Sequence, residues 1–282
     1  MTQIAFIGGG NMATSIIGGL IREGSVRADL IHVSDPGAEQ RDALQSKFNV
    51  VTHDDNLDAI ANAGVVILAV KPQMMKAVLE PLKETLNTRQ PLLISIAAGI
   101  SLPSLSQWSG CNAIVRSMPN TPSLTGHGAM GLYASEAVSI EQRNLTDSLM
   151  AATGLTVWVK TEAEIDAVTA LSGSGPAYYF LMMEAMINAG QKLGLSEETA
   201  TKLTLQTALG AGQMAIASDV GPAELRRRVT SPGGTTEQAI ATFEGAHLRD
   251  IVEAAMDAAA KRAAELSNEL GNELGNELGK AD

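Results

Sequence analysis

The sequence predicts an α/β protein: an N-terminal doubly wound, mainly parallel sheet followed by an all-α domain. Three observations carry this reading. Through the first half, short β-branched or aliphatic runs alternate with segments whose apolar residues recur three and four apart. A glycine turn follows the first of these runs, close to the N-terminus. Beyond Lys160 nothing reads as a strand, and Ala, Leu, Met, Gln and Glu dominate.

The elements follow in order. Ile4–Ile7, Leu30–Val33, Val65–Val70, Leu92–Ile96 and Ala113–Val115 read as strands, each bounded by Gly, Pro, Asn or Asp. Their near-continuous apolar character is that of parallel strands covered on both faces. Met12–Glu23, Glu39–Lys47 and Gln73–Leu86 read as the helices between them. Gly24 closes the first helix, and Pro72 sits where a helix opens without losing a hydrogen bond. Gly128–Tyr133 and Leu155–Val159 extend the sheet, with a helix over Ile140–Ala152. The boundary then falls near Thr161–Ala163, giving domains 1–161 and 162–267 and a tail, 268–282. The second domain reads as helices over Ile165–Leu171, Pro176–Leu193, Glu197–Ala217, Glu224–Val229, Thr236–Phe243 and Leu248–Leu266. Thr199–Ala217 is apolar on more than one stripe, so it needs partners on several sides, in a dimer interface or in a bundle core. Tyr178, Tyr179 and Phe180 read as core. The tail repeats Asn-Glu-Leu-Gly three times, and with a Gly costing ~1 kcal/mol per repeat it reads as a functionless extension of the last helix.

Composition narrows the class. Of the 282 residues, 45% are hydrophobic, enough for sizeable cores, and the net charge of −11 argues against a nucleic-acid partner. Apolar runs such as Val65–Val70 are far short of the ~20 residues of a membrane helix, and the N-terminus lacks the basic region of a signal peptide. A single cysteine, Cys111, excludes an intrachain disulfide and suits a reducing compartment. His32, His53, His127 and His247 lie far apart with no metal-ligand spacing, so no metal site is expected. The expectation is a soluble, acidic, cytoplasmic protein of two domains.

Gly8-Gly9-Gly10-Asn11-Met12-Ala13, between a strand and a helix, is a dinucleotide-binding turn of Rossmann type. Gly8 permits the turn, Gly10 lets the backbone approach a pyrophosphate, and Ala13 lets helix pack on strand, while amides at the helix start hold the anion. Asp35 stands where an acid meets the adenosine ribose, which favours NADH; alternatively it caps the next helix. Ser34 hydrogen-bonds either cofactor, and Arg41 is placed to reach a phosphate. Val70-Lys71-Pro72 ends a strand at the carboxyl edge, where ligands of such sheets collect. Downstream, Ser231-Pro232-Gly233-Gly234-Thr235-Thr236 precedes a helix: two glycines and three hydroxyls there either hold a carboxylate or simply cap the helix.

These segments recur in one order with Ser95-Ile96-Ala97-Ala98-Gly99, Met118-Pro119-Asn120-Thr121-Pro122 and Leu171-Ser172-Gly173-Ser174-Gly175-Pro176-Ala177-Tyr178. From about Ile4 to Leu266 the chain resembles the pyrroline-5-carboxylate reductase family. The resemblance implies a Rossmann domain joined to a helical dimerisation domain, with dimers that assemble five to a decamer. It implies reduction of the imine of L-1-pyrroline-5-carboxylate to L-proline by NADPH or NADH. By matching positions, Gly8, Gly9, Gly10, Asn11, Met12, Ala13, Ser34, Asn56, Ala69, Val70, Lys71, Pro72 and Ala97 touch the cofactor, with Asn120 near the nicotinamide. Ser231, Gly234, Thr235 and Thr236 hold the substrate, Thr236 at the imine nitrogen. Arg228 falls where a partner subunit supplies a cofactor contact. Asp35 departs from the Ser, Thr or basic residue of many NADPH-preferring relatives, and Asp219 replaces a Glu near the substrate amine with shorter reach. A β-hydroxyacid dehydrogenase shares the two-domain plan but needs a general base, usually Lys, on the first long helix; Ile165–Gly190 has neither Lys nor His. A nucleotide sensor without turnover is the reading from outside enzymology.

Overall fold

The computed structural model describes residues 2–272, which divide into two compact units: one runs to Ser174 and takes up the chain again from Ala259, the other is Gly175–Ala258. In the first unit, β1 (Gln3–Ile7), α1 (Asn11–Arg22), β2 (Ile31–Ser34), α2 (Ala38–Phe48), β3 (Val51–His53), α3 (Asn56–Ile60) and β4 (Ala63–Leu68) open the chain. Then come α4 (Met75–Leu79), α5 (Lys83–Arg89), β5 (Leu92–Ser95), α6 (Leu102–Ser109), β6 (Ile114–Met118), β7 (Gly128–Ala134), α7 (Ile140–Ala151), β8 (Gly154–Trp158) and α8 (Glu164–Val168). The eight strands form one sheet in the order 3-2-1-4-5-6-7-8, parallel throughout except at β6–β7. The first six follow the Rossmann order and switch direction of winding between β1 and β4.

Strand alternation builds the two cores. On β1, Ile4 and Phe6 pack with Ile16, Ile17 and Leu20 of α1, while Ala5 and Ile7 face the opposite layer with Met75, Leu79 and Trp108. Positions 13, 16, 17 and 20 of α1 are buried, the i, i+3, i+4, i+7 stripe that the sequence shows. The expected helix Gln73–Leu86 is interrupted: a 3₁₀ turn at Glu80–Leu82, around Pro81, separates α4 from α5, because proline cannot supply the amide that a continuous helix needs. β3, α3 and α6 are further elements that the sequence reading does not contain.

The composition changes at Lys160, whereas the packing unit extends to Ser174. The segment between stays with the sheet because Ile165 is buried, Val168 sits where a Cβ on Gly131 of β7 would lie, and Asn120 Nδ2 donates to the Ser172 carbonyl at 3.0 Å. Thr169–Gly173 forms a π turn that ends as Ser174 N donates to Thr169 O.

The second unit is helical: α9 (Gly175–Lys192), α10 (Glu197–Ala217), α11 (Pro222–Arg228), α12 (Thr235–Gly245) and the start of α13 (Leu248–Asn272). Tyr179 and Phe180 are 70% and 62% exposed, so the expectation that they are core residues does not hold within one chain. Leu203, Leu205, Leu209, Met214 and Ile216 of α10 are exposed as well. The helices of this unit are too few to cover their own apolar faces. α13 runs through Asn272 into the tail, and the remaining repeats lie outside the described residues.

Candidate active site

A cleft of about 450 Å³ opens at the carboxyl ends of β1, β2 and β4, lined by Gly8, Gly10, Ser34, Asp35, Pro36, Asp54, Asn56, Ala69, Val70 and Lys71 among others. Gly8 has φ +97° and its amide donates to Ser34 O at 2.8 Å; a Cβ there would press on the Ala69 carbonyl. Only glycine suits that position. At Gly10, by contrast, a Cβ would meet nothing, so that residue leaves open the approach to the amides at the start of α1. Gly10 is also the N-cap, and no side chain caps α1. Asn11 and Met12 form its first turn, and Ala13 is buried against the sheet. A cleft that ends on an uncapped helix start suits the pyrophosphate and the adjoining part of a dinucleotide.

Asp35 holds the turn from the other side. One carboxylate oxygen accepts from Gly9 N and the other from Gly37 N, the N-cap of α2, each at 2.9 Å. Its amide donates to His53 O. The carboxylate thus holds the amide at the start of α2 and also lines the cleft. Ser34 Oγ donates to Asn56 Oδ1, which binds the ends of β2 and α3 together. Arg41 Nη1 donates to the Asp35 and Pro36 carbonyls at 2.7 and 3.0 Å. Asp54, Pro36 and Met74 also line the cleft, and the sequence reading did not name them; Asp54 follows β3, a strand too short to signal itself.

Register brings together two histidines that are distant in sequence. His32 and His53 stack with centroids 5.1 Å apart and ring nitrogens 2.9 Å apart. The expectation that all four histidines lie apart is corrected here: β2 and β3 pair in parallel. Burial and then the neighbouring His53 hold His32 below the usual imidazole range. Among the described residues no three His, Cys, Asp or Glu side chains group to hold a metal.

Ala97 N donates to Ser95 Oγ at 3.4 Å, and Asn120 is buried with both ends of its amide engaged: Oδ1 accepts from Ala129 N at 2.9 Å, Nδ2 donates to Ser172 O. In the second unit, Gly233 takes φ +72° and Gly234 is the N-cap of α12. Gly234 N donates to Ser231 O at 3.0 Å and Gly233 N to Glu237 Oε2 at 2.7 Å. The threonines are inside the helix, not its caps: Thr235 is its first residue and Thr236, half-buried, its second. Asp219 is exposed in the turn between α10 and α11. Arg228 Nε donates to Glu224 Oε1 at 2.9 Å.

Residues 162–266 match the family model for pyrroline-5-carboxylate reductase dimerisation, and residues 3–99 match that for NADP oxidoreductase, coenzyme F420-dependent. The pyrroline-5-carboxylate reductase of Pseudomonas aeruginosa is 56% identical over 256 residues, covering 90% of this chain and 93% of the relative. The chain belongs to the pyrroline-5-carboxylate reductase family. That of Haemophilus influenzae is 46% identical over 90% of this chain and 93% of its own. The solved reductase of Coxiella burnetii superposes with a TM-score of 0.91 at 48% identity, covering 94% of this chain and 98% of the other. That of Plasmodium falciparum, determined with NADP bound, gives 0.83 at 28% identity, with 94% and 98% covered. As a pyrroline-5-carboxylate reductase family member this chain is an NAD(P)H-dependent oxidoreductase with a Rossmann-type sheet and a helical dimerisation region, and it forms a homo-oligomer. No described helix is long and apolar enough to cross a membrane.

Proposed function

We propose that this chain catalyses the last step of proline biosynthesis, reducing L-1-pyrroline-5-carboxylate to L-proline in the cytoplasm, as a homodimer that assembles into a decamer. The domains are 1–161 for the cofactor and 162–267 for the substrate and the dimer. The observation that carries the substrate assignment is the start of α12, where the Gly234 cap brings no side-chain hydrogen bond and so leaves the first amides to a ligand, with Ser231, Thr235 and Thr236 adjoining the cap in sequence. Amides and dipole at such a helix start bind a carboxylate.

The bound nicotinamide cofactor, NADPH or NADH, supplies the hydride. Gly8 to Ala13 hold its pyrophosphate; Ser34, Asp35 and Asn56 its adenosine end; Ala69 to Pro72, Ala97 and Asn120 the remainder. Thr236 hydrogen-bonds the ring nitrogen, and the Asp219 carboxylate favours the cationic imine, which is the electrophilic form. Arg228 serves the partner subunit's cofactor. Imine reduction asks for no general base, in keeping with a chain whose first long helix carries neither Lys nor His between 165 and 190.

The experiment is isotopic. Reduced cofactor carrying deuterium at nicotinamide C4 is incubated with the protein and pyrroline-5-carboxylate. Deuterium on the former imine carbon of proline supports the reading; cofactor binding without labelled proline leaves the sensor reading in its place.

A further inference from the structure

The reaction leaves one buried charge of the first unit without a role. Arg116, on β6, is only 5% exposed. Its Nη1 donates to Glu162 Oε1 at 2.6 Å, and the same oxygen accepts the Leu102 amide at 2.7 Å. Arg116 Nε is buried with no hydrogen-bond partner. Asp166 of α8 completes the charge cluster: burial pushes its carboxyl up, Arg116 pulls it down and Glu162 pushes it up again.

In this pair the Arg116 side chain is 6% and the Glu162 side chain 28% exposed, and well-packed apolar replacements of such pairs are often no less stable. What it does is join three segments. Leu102 ends the loop after β5, which contains Ala97, and Ala97 N is held by Ser95, the register partner of Arg116. β6 itself leads into Asn120. Glu162 lies between β8 and α8. One oxygen therefore fixes the end of the 96–101 loop to the strand that leads into Asn120.

We propose that Arg116 and Glu162 are positioning residues, holding the Ala97 loop and the Asn120 segment in the arrangement that receives the nicotinamide end of the cofactor. The inference rests on the cofactor site assigned above. Both act through the backbone segments they join and not by touching cofactor or substrate.

Three variants test it. Glu162→Gln keeps an acceptor for Leu102 N–H but loses the charge, Arg116→Met/Glu162→Gln removes both charges so that none is left buried alone, and Arg116→Lys keeps the cation. For each, thermal unfolding, calorimetric affinity for the reduced dinucleotide and for ADP, and kcat and KM for pyrroline-5-carboxylate are measured. The expected result for a folded double variant is a kcat lower by on the order of tenfold to a hundredfold and weaker dinucleotide binding. ADP affinity stays that of wild type, and Arg116→Lys recovers most of kcat. Unchanged kcat and dinucleotide affinity in a folded double variant overturn the proposal, and so does a parallel loss of dinucleotide and ADP binding, which would mean general loosening. Wild-type protein that binds no dinucleotide overturns the cofactor site itself, and the positioning role with it.

Discussion

Asp35 carries two amides on one carboxylate, those of Gly9 and Gly37, and so fixes the phosphate-binding turn to the start of α2. Its side chain also lines the cleft, at the end proposed to take the adenosine ribose. Asp35→Ala is expected to lower kcat/KM for both cofactors by roughly tenfold, the worth of one to two hydrogen bonds. NADH should lose more than NADPH, because the same change removes the repulsion of a 2′-phosphate. Parallel kinetics with the two cofactors check both parts. Asp166 gives a pH prediction. Burial is the largest cause of its raised carboxyl pKa, so its folded value lies above the unfolded value of 3.8. The stability it contributes is present below 3.8 and is lost as pH rises through the folded value. Asp166→Asn should therefore be more stable than wild type near neutrality, and the difference should close on acidification, as followed by denaturant unfolding across pH.

Among the elements, α1 shows how packing overrides propensity. Ala is ordinarily better than Gly inside a helix by ~1 kcal/mol. At Gly19, however, a Cβ would collide with the carbonyl oxygen of Ala152, which follows α7. Gly19→Ala should destabilise the fold by about 2 kcal/mol or more, read from chemical denaturation. Much at this scale was legible in the sequence. Glu197–Ala217 was read with the bounds it has, and strand–turn–helix at Gly8 to Ala13 is as its glycines require. Three things were hidden. β3 has three residues and no apolar periodicity to show. The break at Pro81 was masked by leucines on either side that keep the helical spacing. The His32–His53 stack and the Arg116–Glu162 pair depend on register and packing between distant segments, which no local pattern encodes. The candidate site divides in the same way: its turns are local and were legible, whereas Asp54 enters only through the sheet order.

For the molecule as a whole, the exposed apolar side chains of α9 and α10 are the main fact. Tyr179, Phe180 and Ile216 are 70%, 62% and 89% exposed on one chain, in the region that matches the dimerisation model. Sequence could show that α10 needed neighbours on several sides, but whether they came from the same chain or another is decided by how many helices the unit contains. Covering these faces with a second copy makes folding and association one equilibrium, so the melting temperature should rise with protein concentration. Phe180→Glu should shift the assembly toward smaller species in sedimentation velocity, and an unchanged distribution would remove this face from the interface.

The most direct test is the steady-state kinetics of pyrroline-5-carboxylate reduction by wild type and Thr236→Ala, with proline identified as the product and cofactor affinity measured alongside. Wild type should form proline, and the variant should lose roughly tenfold to a hundredfold in kcat/KM, about one good hydrogen bond at the imine nitrogen, with cofactor affinity unchanged. Equal kcat/KM in the two proteins would contradict the placement of the substrate at the start of α12.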